Sequence, residues 1–439
     1  MKQTRRNFVG TAAALGALAT AAGWSSAGAA TEPVRLSLAE FVKDPVRLAS
    51  LRRGVAAMKA LPPSDHRSWF WQAATHAYND ALYSEALARD PKVAGVNAKR
   101  YWNQCPHFGQ CSADFLIWHR AFLFNFEHIL RDASGDPAFA LPYWDYSTPE
   151  GRAFPEAFAA EYLDGAKKSP NPLFHPTRNY DFTSGDTMLS DMVAQASRTM
   201  SAPNFYSAPG QTGFAGDFAD KGAPVSGLIE TRPHGDIHMV VGGWISGINA
   251  NGAMSDIPTA AFDPVFWVHH ANVDRLWVSW AQTRGKTWGP MPSDAWLDEK
   301  PWVFVDVNGN DVGESRRFYL ERANLDVRYD IDDPAKLELA LPPRRYAVGG
   351  ALAGTMLPAA PKSAPAGGGM SPDMMQMMFQ QIELAADYAP VEATPNAAVT
   401  REIGVERRSA PHRHMDSPGG SGNEEMQAAA PPEIGRAHV

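Results

Sequence analysis

Cysteine is scarce in this chain: Cys105 and Cys111 are the only two among 439 residues, so at most one disulfide can cross-link it. Long apolar runs are scarcer. After residue 29 none reaches the roughly 18 residues of a membrane-crossing helix, so stable membrane insertion of the mature chain is not expected. Positive charge is in deficit too. The formal net charge is −8, and Lys2, Arg5 and Arg6 are the only charged residues of positions 1–29, so loss of that segment leaves −11. An acidic surface argues against nucleic acid as a partner. With 44% hydrophobic and 20% charged residues, the composition is that of a soluble globular protein long enough for a large core and an appended domain.

The amino terminus is where positive charge does gather. Thr4-Arg-Arg-Asn-Phe-Val-Gly10 followed by an alanine-rich apolar run reads as a twin-arginine export signal, with cleavage near Ala27-Gly-Ala29. That route carries folded, cofactor-loaded proteins, and the expected location is the periplasm or the exterior.

From Leu36 to Trp302 the texture is helical segments joined by Gly/Pro/Ser loops. Ser64-Asp65 is expected to cap a helix running through His76 and Tyr83, and Asp114 to cap the helix Phe115 to Leu130. The latter is apolar on almost every face, as is Val265 to Trp280; both belong inside a bundle. Residues 146–230 read as an excursion that shapes the mouth of a pocket. Beyond Pro290 the pattern turns to short alternating strands, Trp302–Val307, Arg317–Leu320 and Leu325–Tyr329, with a turn at Asn308-Gly309.

The histidines organise the rest. In Glu230-Thr-Arg-Pro-His-Gly-Asp-Ile-His238 two imidazoles stand four apart, one helical turn, and His270 in Asp263-Pro-Val-Phe-Trp-Val-His-His-Ala-Asn-Val-Asp-Arg-Leu-Trp277 completes a set of three. A second set lies upstream at His76, His107 and His119. Imidazole alone suits zinc, copper, iron and nickel. Two sets of three, with no paired acids of the kind a di-iron carboxylate bundle uses, favour a dinuclear copper centre inside four helices. Asp274, one turn after His270, is placed to orient an imidazole or anchor Arg275. Phe262, Phe266, Trp118 and Trp267 are expected as core aromatics.

The Trp118-His-Arg120 signature, the His-x3-His pair and the Asp263–Trp277 run together resemble the type 3 copper proteins of the tyrosinase, polyphenol oxidase and catechol oxidase family. The resemblance implies a mainly α fold: a four-helix bundle around two copper ions with long loops, then a small β-rich domain like that of plant polyphenol oxidases, then a flexible tail. The corresponding segments are a signal peptide at 1–29, a dicopper catalytic domain at 30–290, the small domain at 291–346, a Gly/Ala/Pro-rich linker at 347–372 and a Met-containing, partly disordered tail at 373–439. Implied chemistry is oxidation of o-diphenols to o-quinones by O2, with some ortho-hydroxylation of monophenols. The alternatives are an o-aminophenol oxidase and a haemocyanin-like O2 carrier without turnover. The second His of the His269-His270 pair is the ligand by resemblance, which makes the metal set His76, His107, His119, His234, His238 and His270.

Departures from the family pattern matter. His107 and His119 lie twelve apart, a longer spacing than in many bacterial relatives, so an insertion falls in Phe108–Ala113. Cys105, two before His107, stands where some members link sulfur to the imidazole ring in a thioether; a Cys105–Cys111 disulfide is the competing reading. Glu230 stands where plant members keep a glutamate that holds a water for deprotonating phenols, but the companion asparagine is here Gly235; a helix-capping or salt-bridging acid beside Arg232 is the plainer reading. Ile257, thirteen before His270, replaces a Phe found over one copper in some catechol oxidases, and Met239 follows His238 at a position tied to substrate preference. In the tail, Met370–Met378 and His412–Met415 are candidates for passing on Cu(I), for packing onto the catalytic domain, or for covering the pocket. Expected partners are a small phenol, O2 and a copper chaperone, with the oligomeric state left open.

Overall fold

The computed structural model describes residues 32–102, 104–106, 112–194, 196–218, 225–247, 249–333, 341 and 405–407. Two long helices form its axis. Helix α4 (Phe115–Ser134) comes after α1 (Pro45–Ala60), α2 (Trp69–Ala74), α3 (Asp80–Arg89) and two shorter helices, Leu38–Phe41 and Ala98–Trp102, and packs along α1. Its side chains are buried on nearly every face, because α1 and the later helix α6 (Pro264–Ala281) cover it. Helix α5 (Asp236–Gly242) is short and lies between them in sequence. Asp263 caps α6 by accepting from Val265 N at 2.9 Å, with Pro264 at the first helical position, where its missing N–H costs nothing. None of the described helices is long and apolar enough to cross a membrane.

Asp114 does not cap α4. Its carboxylate instead receives Nε and Nη2 of Arg316 at 2.7 and 2.8 Å, an ion pair buried between α4 and the late chain. Nor does one helix run from Ser64 through Tyr83. Asp65 is held by Arg67 at 2.8 Å, Ser68 caps α2 through Trp71 N, and α2 ends where the Thr75 hydroxyl donates back to Trp71 O at 2.9 Å. Asn79 then starts α3 by accepting from Ala81 N and Leu82 N. Side-chain bonds to the local backbone break the helix on either side of His76.

Strands are few and short among the described residues. β1 (Val34–Arg35) and β5 (Arg328–Tyr329) pair in parallel, and β3 (Phe304–Val305) and β4 (Asp311–Val312) form a hairpin; between them in sequence stands β2 (Thr187–Leu189), which pairs antiparallel with β6 (Val405–Arg407) of the tail. Arg317–Leu320 is not a strand. It belongs to helix α7 (Arg316–Leu320), because the Ser315 hydroxyl accepts from Phe318 N and caps a helical turn. The late segment is sewn to the bundle: Tyr319, Phe304 and Tyr329 are buried in the common core. Arg35 Nη1 bonds Tyr329 Oη at 2.7 Å, Arg35 Nε bonds Glu127 at 2.9 Å, and Tyr329 Oη donates to Asp274 at 2.7 Å, so β1, β5, α4 and α6 meet in one buried polar cluster.

Candidate metal centre

Buried imidazoles converge where α2, α4, α5 and α6 meet. His76, Cys105 and His119 form one group, and His234, His238, His269 and His270 another; within each group one ligand atom per residue lies within 4.8 Å of the rest. The groups touch. The rings of His119 and His270 stack with centroids 4.3 Å apart and planes at 3°. His107 and Cys111 lie outside the described residues, as do the signal segment, the linker and the methionine-rich stretch.

Four of these rings are oriented in the same way. Nδ1 of His76 donates to Ile257 O at 2.8 Å, that of His119 to Phe115 O at 2.7 Å, that of His234 to Glu230 O at 2.8 Å and that of His238 to Met254 O at 2.7 Å. A ring that donates through Nδ1 carries its lone pair on Nε2, the form a metal takes, and the carbonyl fixes its direction. Nε2 of His238 faces Nε2 of His270 at 3.3 Å. Among the described residues, His270 Nδ1 and both nitrogens of His269 have no hydrogen-bond partner although the rings are buried. Orphaned buried nitrogens are costly in a protein interior.

Burial also keeps the imidazoles uncharged. Loss of solvent, then the neighbouring imidazoles, hold His234, His269 and His270 well below the usual histidine range. His238 is pushed down to about 4 by desolvation, against its bond to Met254 O, although its edge reaches the surface. Among the described residues no carboxylate belongs to either group. Neutral nitrogen donors with one soft sulfur nearby fit copper.

The local chain explains these positions. His234 and His238, expected on one helix, are divided: Glu230–Gly235 is a wide turn in which Arg232 is extended (φ −142°, ψ 127°) and the Arg232–Pro233 peptide is cis, and regular helix starts only at Asp236. On the other side of α5, residues 253–260 form two tight turns whose carbonyls hold His238 and His76. The approach is close enough to need glycine. A Cβ on Gly242 would lie 2.3 Å from Ser255 N, and one on Gly252 would lie 2.3 Å from Gly242 O.

Glu230 is buried, and its carboxylate accepts from Gly227 N at 3.2 Å. It does not pair with Arg232, which binds Asp236. Burial, then the Glu230 charge, push the Cys105 thiol well above its ordinary range, and Cys105 Sγ stands 3.7 Å from His119 Nε2. Gly235 is buried, whereas Met239 and Ile257 are partly exposed; Ile257 meets the site through its backbone oxygen. Asp274 corrects an expectation. It neither touches an imidazole nor anchors Arg275, but receives Arg120 Nε at 2.6 Å and so ties α4 to α6 beside His119 and His270. Arg275 reaches Asn272 and Asp145 instead.

Of the expected core aromatics, Phe266 packs against His270 (centroids 4.2 Å) and His76 (4.9 Å), and Trp118 against His119 (4.9 Å). Phe262 lies on Phe70 and Trp267 on Phe126. Phe115, between His119 (4.5 Å) and His234 (4.7 Å), escaped the sequence reading, although it stands one helical turn before His119.

Comparison with known proteins agrees with this geometry. The sequence is 31% identical over 315 residues to (+)-larreatricin hydroxylase of Larrea tridentata, a match covering 69% of this chain and 50% of that protein. It is 32% identical over 283 residues to tyrosinase HcTyr1 of a Hahella species, covering 59% and 55%. The chain thus spans about half the length of these curated relatives. The crystal structure of Grenache (Vitis vinifera) polyphenol oxidase superposes with a TM-score of 0.52 at 25% identity, covering 71% of this chain and 88% of that one. The profile of the common central domain of tyrosinase matches residues 66–283, and the chain belongs to the tyrosinase and polyphenol oxidase family of dinuclear copper proteins.

Proposed function

We propose that this protein oxidises o-diphenols to o-quinones with O2, and that it also hydroxylates monophenols at the ortho position. The observation that carries the reading is the set of four rings tied back through Nδ1 to backbone carbonyls, with their Nε2 edges toward the meeting point of two groups. In this reading His76, His107 and His119 hold one copper, and His234, His238 and His270 the other. Copper supplies the electron transfer between phenol and O2. Two diphenols give up four electrons and four protons to one O2, forming two quinones and two waters.

The chain's own contribution is position, dryness and proton handling. Phe115, Phe266 and Trp118 wall the imidazoles and keep water from them. Glu230 is the candidate base: its carboxylate is buried and Arg232 is committed to Asp236, so through a bound water it can take the phenolic proton. Gly235 leaves that water without a side-chain amide to share it, while Met239 and Ile257 border the pocket in this reading. A thioether between Cys105 and His107 would fix the His107 ring. A His107 peptide whose link to Cys105 survives reduction would support it over a disulfide to Cys111. Export through the twin-arginine signal fits a protein that takes up its metal before leaving the cell.

The test is oxygen uptake by the copper-loaded protein with a monophenol and its matching o-diphenol, using His238→Ala as the blank. Uptake with both supports the full proposal, and uptake with the diphenol alone restricts it to catechol oxidation. Uptake only with an o-aminophenol, or reversible O2 binding with no phenol consumed, would refute it.

A further inference from the structure

Two of the oriented rings, one from each group, hang from the same short piece of chain. His238 Nδ1 donates to Met254 O at 2.7 Å and His76 Nδ1 to Ile257 O at 2.8 Å, so carbonyls three residues apart aim imidazoles assigned to different metals. The two donors are 162 positions apart in sequence, His76 before α3 and His238 in α5. What they share is the turn.

That turn is held by a small set of polar side chains. Thr259 Oγ1 lies 3.1 Å from Ala253 O and 2.9 Å from Asp256 Oδ2, so its one proton serves either acceptor and closes the loop across Met254 and Ser255. Ser255 Oγ donates to His238 O at 3.1 Å, and Ala253 N donates to Thr177 O at 3.1 Å. Beside it opens a cavity of about 540 Å³ lined by Thr177, Ala253, Asp256 and Thr259, so a change at Thr259 meets open space on that side.

We propose that residues 253–259 act as one positioning element for both metals, and that Thr259 is the residue that sets it. The proposal rests on His76 and His238 being ligands. Loss of the Thr259 hydroxyl lets the turn relax, and both carbonyls shift together. Neither ring is then held in its ligating direction, and copper affinity falls at both sites at once. Outer-shell partners of metal-bound histidines typically account for about 10–100-fold in affinity.

The experiment is a chelator competition titration on the copper-free full-length protein, comparing wild type with Thr259→Val, Thr259→Ser, His76→Ala and His238→Ala, alongside urea unfolding of each copper-free form. The expected result is about 10–100-fold weaker binding of both coppers in Thr259→Val, with Thr259→Ser close to wild type because it keeps the hydroxyl. A Thr259→Val protein that is less stable without copper but binds copper as wild type overturns the proposal, as does weakening of one copper alone. If Thr259→Val does not fold, Thr259→Ala removes the same hydroxyl with a smaller side chain, and unchanged copper affinity there overturns it equally. Undiminished copper binding in His76→Ala and His238→Ala would instead remove the ligand assignment, and this inference with it. The two failures are told apart because only the second appears in the histidine variants.

Discussion

Arg178→Met removes one half of a buried ion pair that fastens the 146–230 excursion to the helix carrying His270. Asp263 is fully buried, and both its oxygens are bound by Arg178, Nε and Nη2 each at 2.7 Å, while Oδ1 also caps α6 through Val265 N at 2.9 Å. Arg178 Nη2 further serves Leu173 O at 2.9 Å. Breaking a buried pair by removing one partner costs about 3–5 kcal/mol, because the remaining charge is left in the interior. With a urea slope of ~3 kcal/mol per M for a chain of this size, the unfolding midpoint of the copper-free protein should fall by about 1–1.7 M, read by tryptophan fluorescence.

The pH dependence gives a second handle. Burial alone would raise the Asp263 carboxyl, but Arg178 outweighs it and holds the group below its ordinary range. A depressed folded value means a contribution present above the unfolded value near ~3.9 and lost as pH falls through the folded one. In Arg178→Met the main opposition to burial is gone and only the Val265 N–H and His175 remain, so the group rises relative to the wild type and the deficit of the variant should shrink as pH falls through the carboxylate range. The double variant Arg178→Met/Asp263→Asn should recover most of the loss, since the substituted amide is neutral and its oxygen still caps α6. A midpoint shift below ~0.3 M, or a single variant whose deficit grows as pH falls, would refute the reasoning.

Gly242→Ala should destabilise the copper-free protein by about 1–3 kcal/mol, since its Cβ would sit 2.3 Å from Ser255 N in a packed turn; thermal unfolding measures it, and an unchanged midpoint would show that the turn yields freely. Arg120→Lys should cost about 1.5–3 kcal/mol, because a lysine cannot both bond Asp274 and lay a guanidinium 3.4 Å over the Trp277 ring; urea unfolding of the pair of proteins decides. For His128, burial would lower the ring, but its bond to Asp326 at 2.8 Å outweighs that and raises it. That stabilisation is whole below about 6.5 and lost as pH rises through the folded value, and the partly exposed pair limits it to about 1 kcal/mol or less. The stability gap between wild type and His128→Gln should therefore close between pH 5.5 and 8.5, and a gap that widens would contradict the pairing.

Much of the candidate site could be read in the sequence because imidazoles at helical spacing in apolar surroundings have few other uses. His119 and His270 sit on long helices whose burial on nearly every face betrays them. What could not be read is whatever depends on residues far apart. That Ile257 and Met254 lend their carbonyls to the rings is invisible in any local pattern, because a backbone oxygen has no sequence signature. Asp274 was noticed, but its partner Arg120 is 154 positions away, so the local reading looked to its neighbour Arg275. At residues 64–83 the helix was overextended, since the Thr75 and Asn79 side chains outcompete a helical continuation. Arg317–Leu320 misled in the opposite direction: alternation suggested a strand, and the cap at Ser315 made a helical turn.

The pairing of β1 with β5 has a consequence for the order in which a ribosome releases this chain. Val34 and Arg35 are made early, but their partners Arg328 and Tyr329 arrive almost three hundred residues later, after every described imidazole of the two groups has been made. Until then Arg35 has no Tyr329 beside it, and Asp274 lacks the phenol that bonds it in the finished protein. A nascent chain stopped anywhere between Trp277 and Arg328 would hold all of those histidines and still lack the Tyr329 phenol that joins Arg35 to Asp274. Completion of this polar cluster is thus tied to synthesis of the late segment, and a chain interrupted before it is one that a quality-control protease can still open.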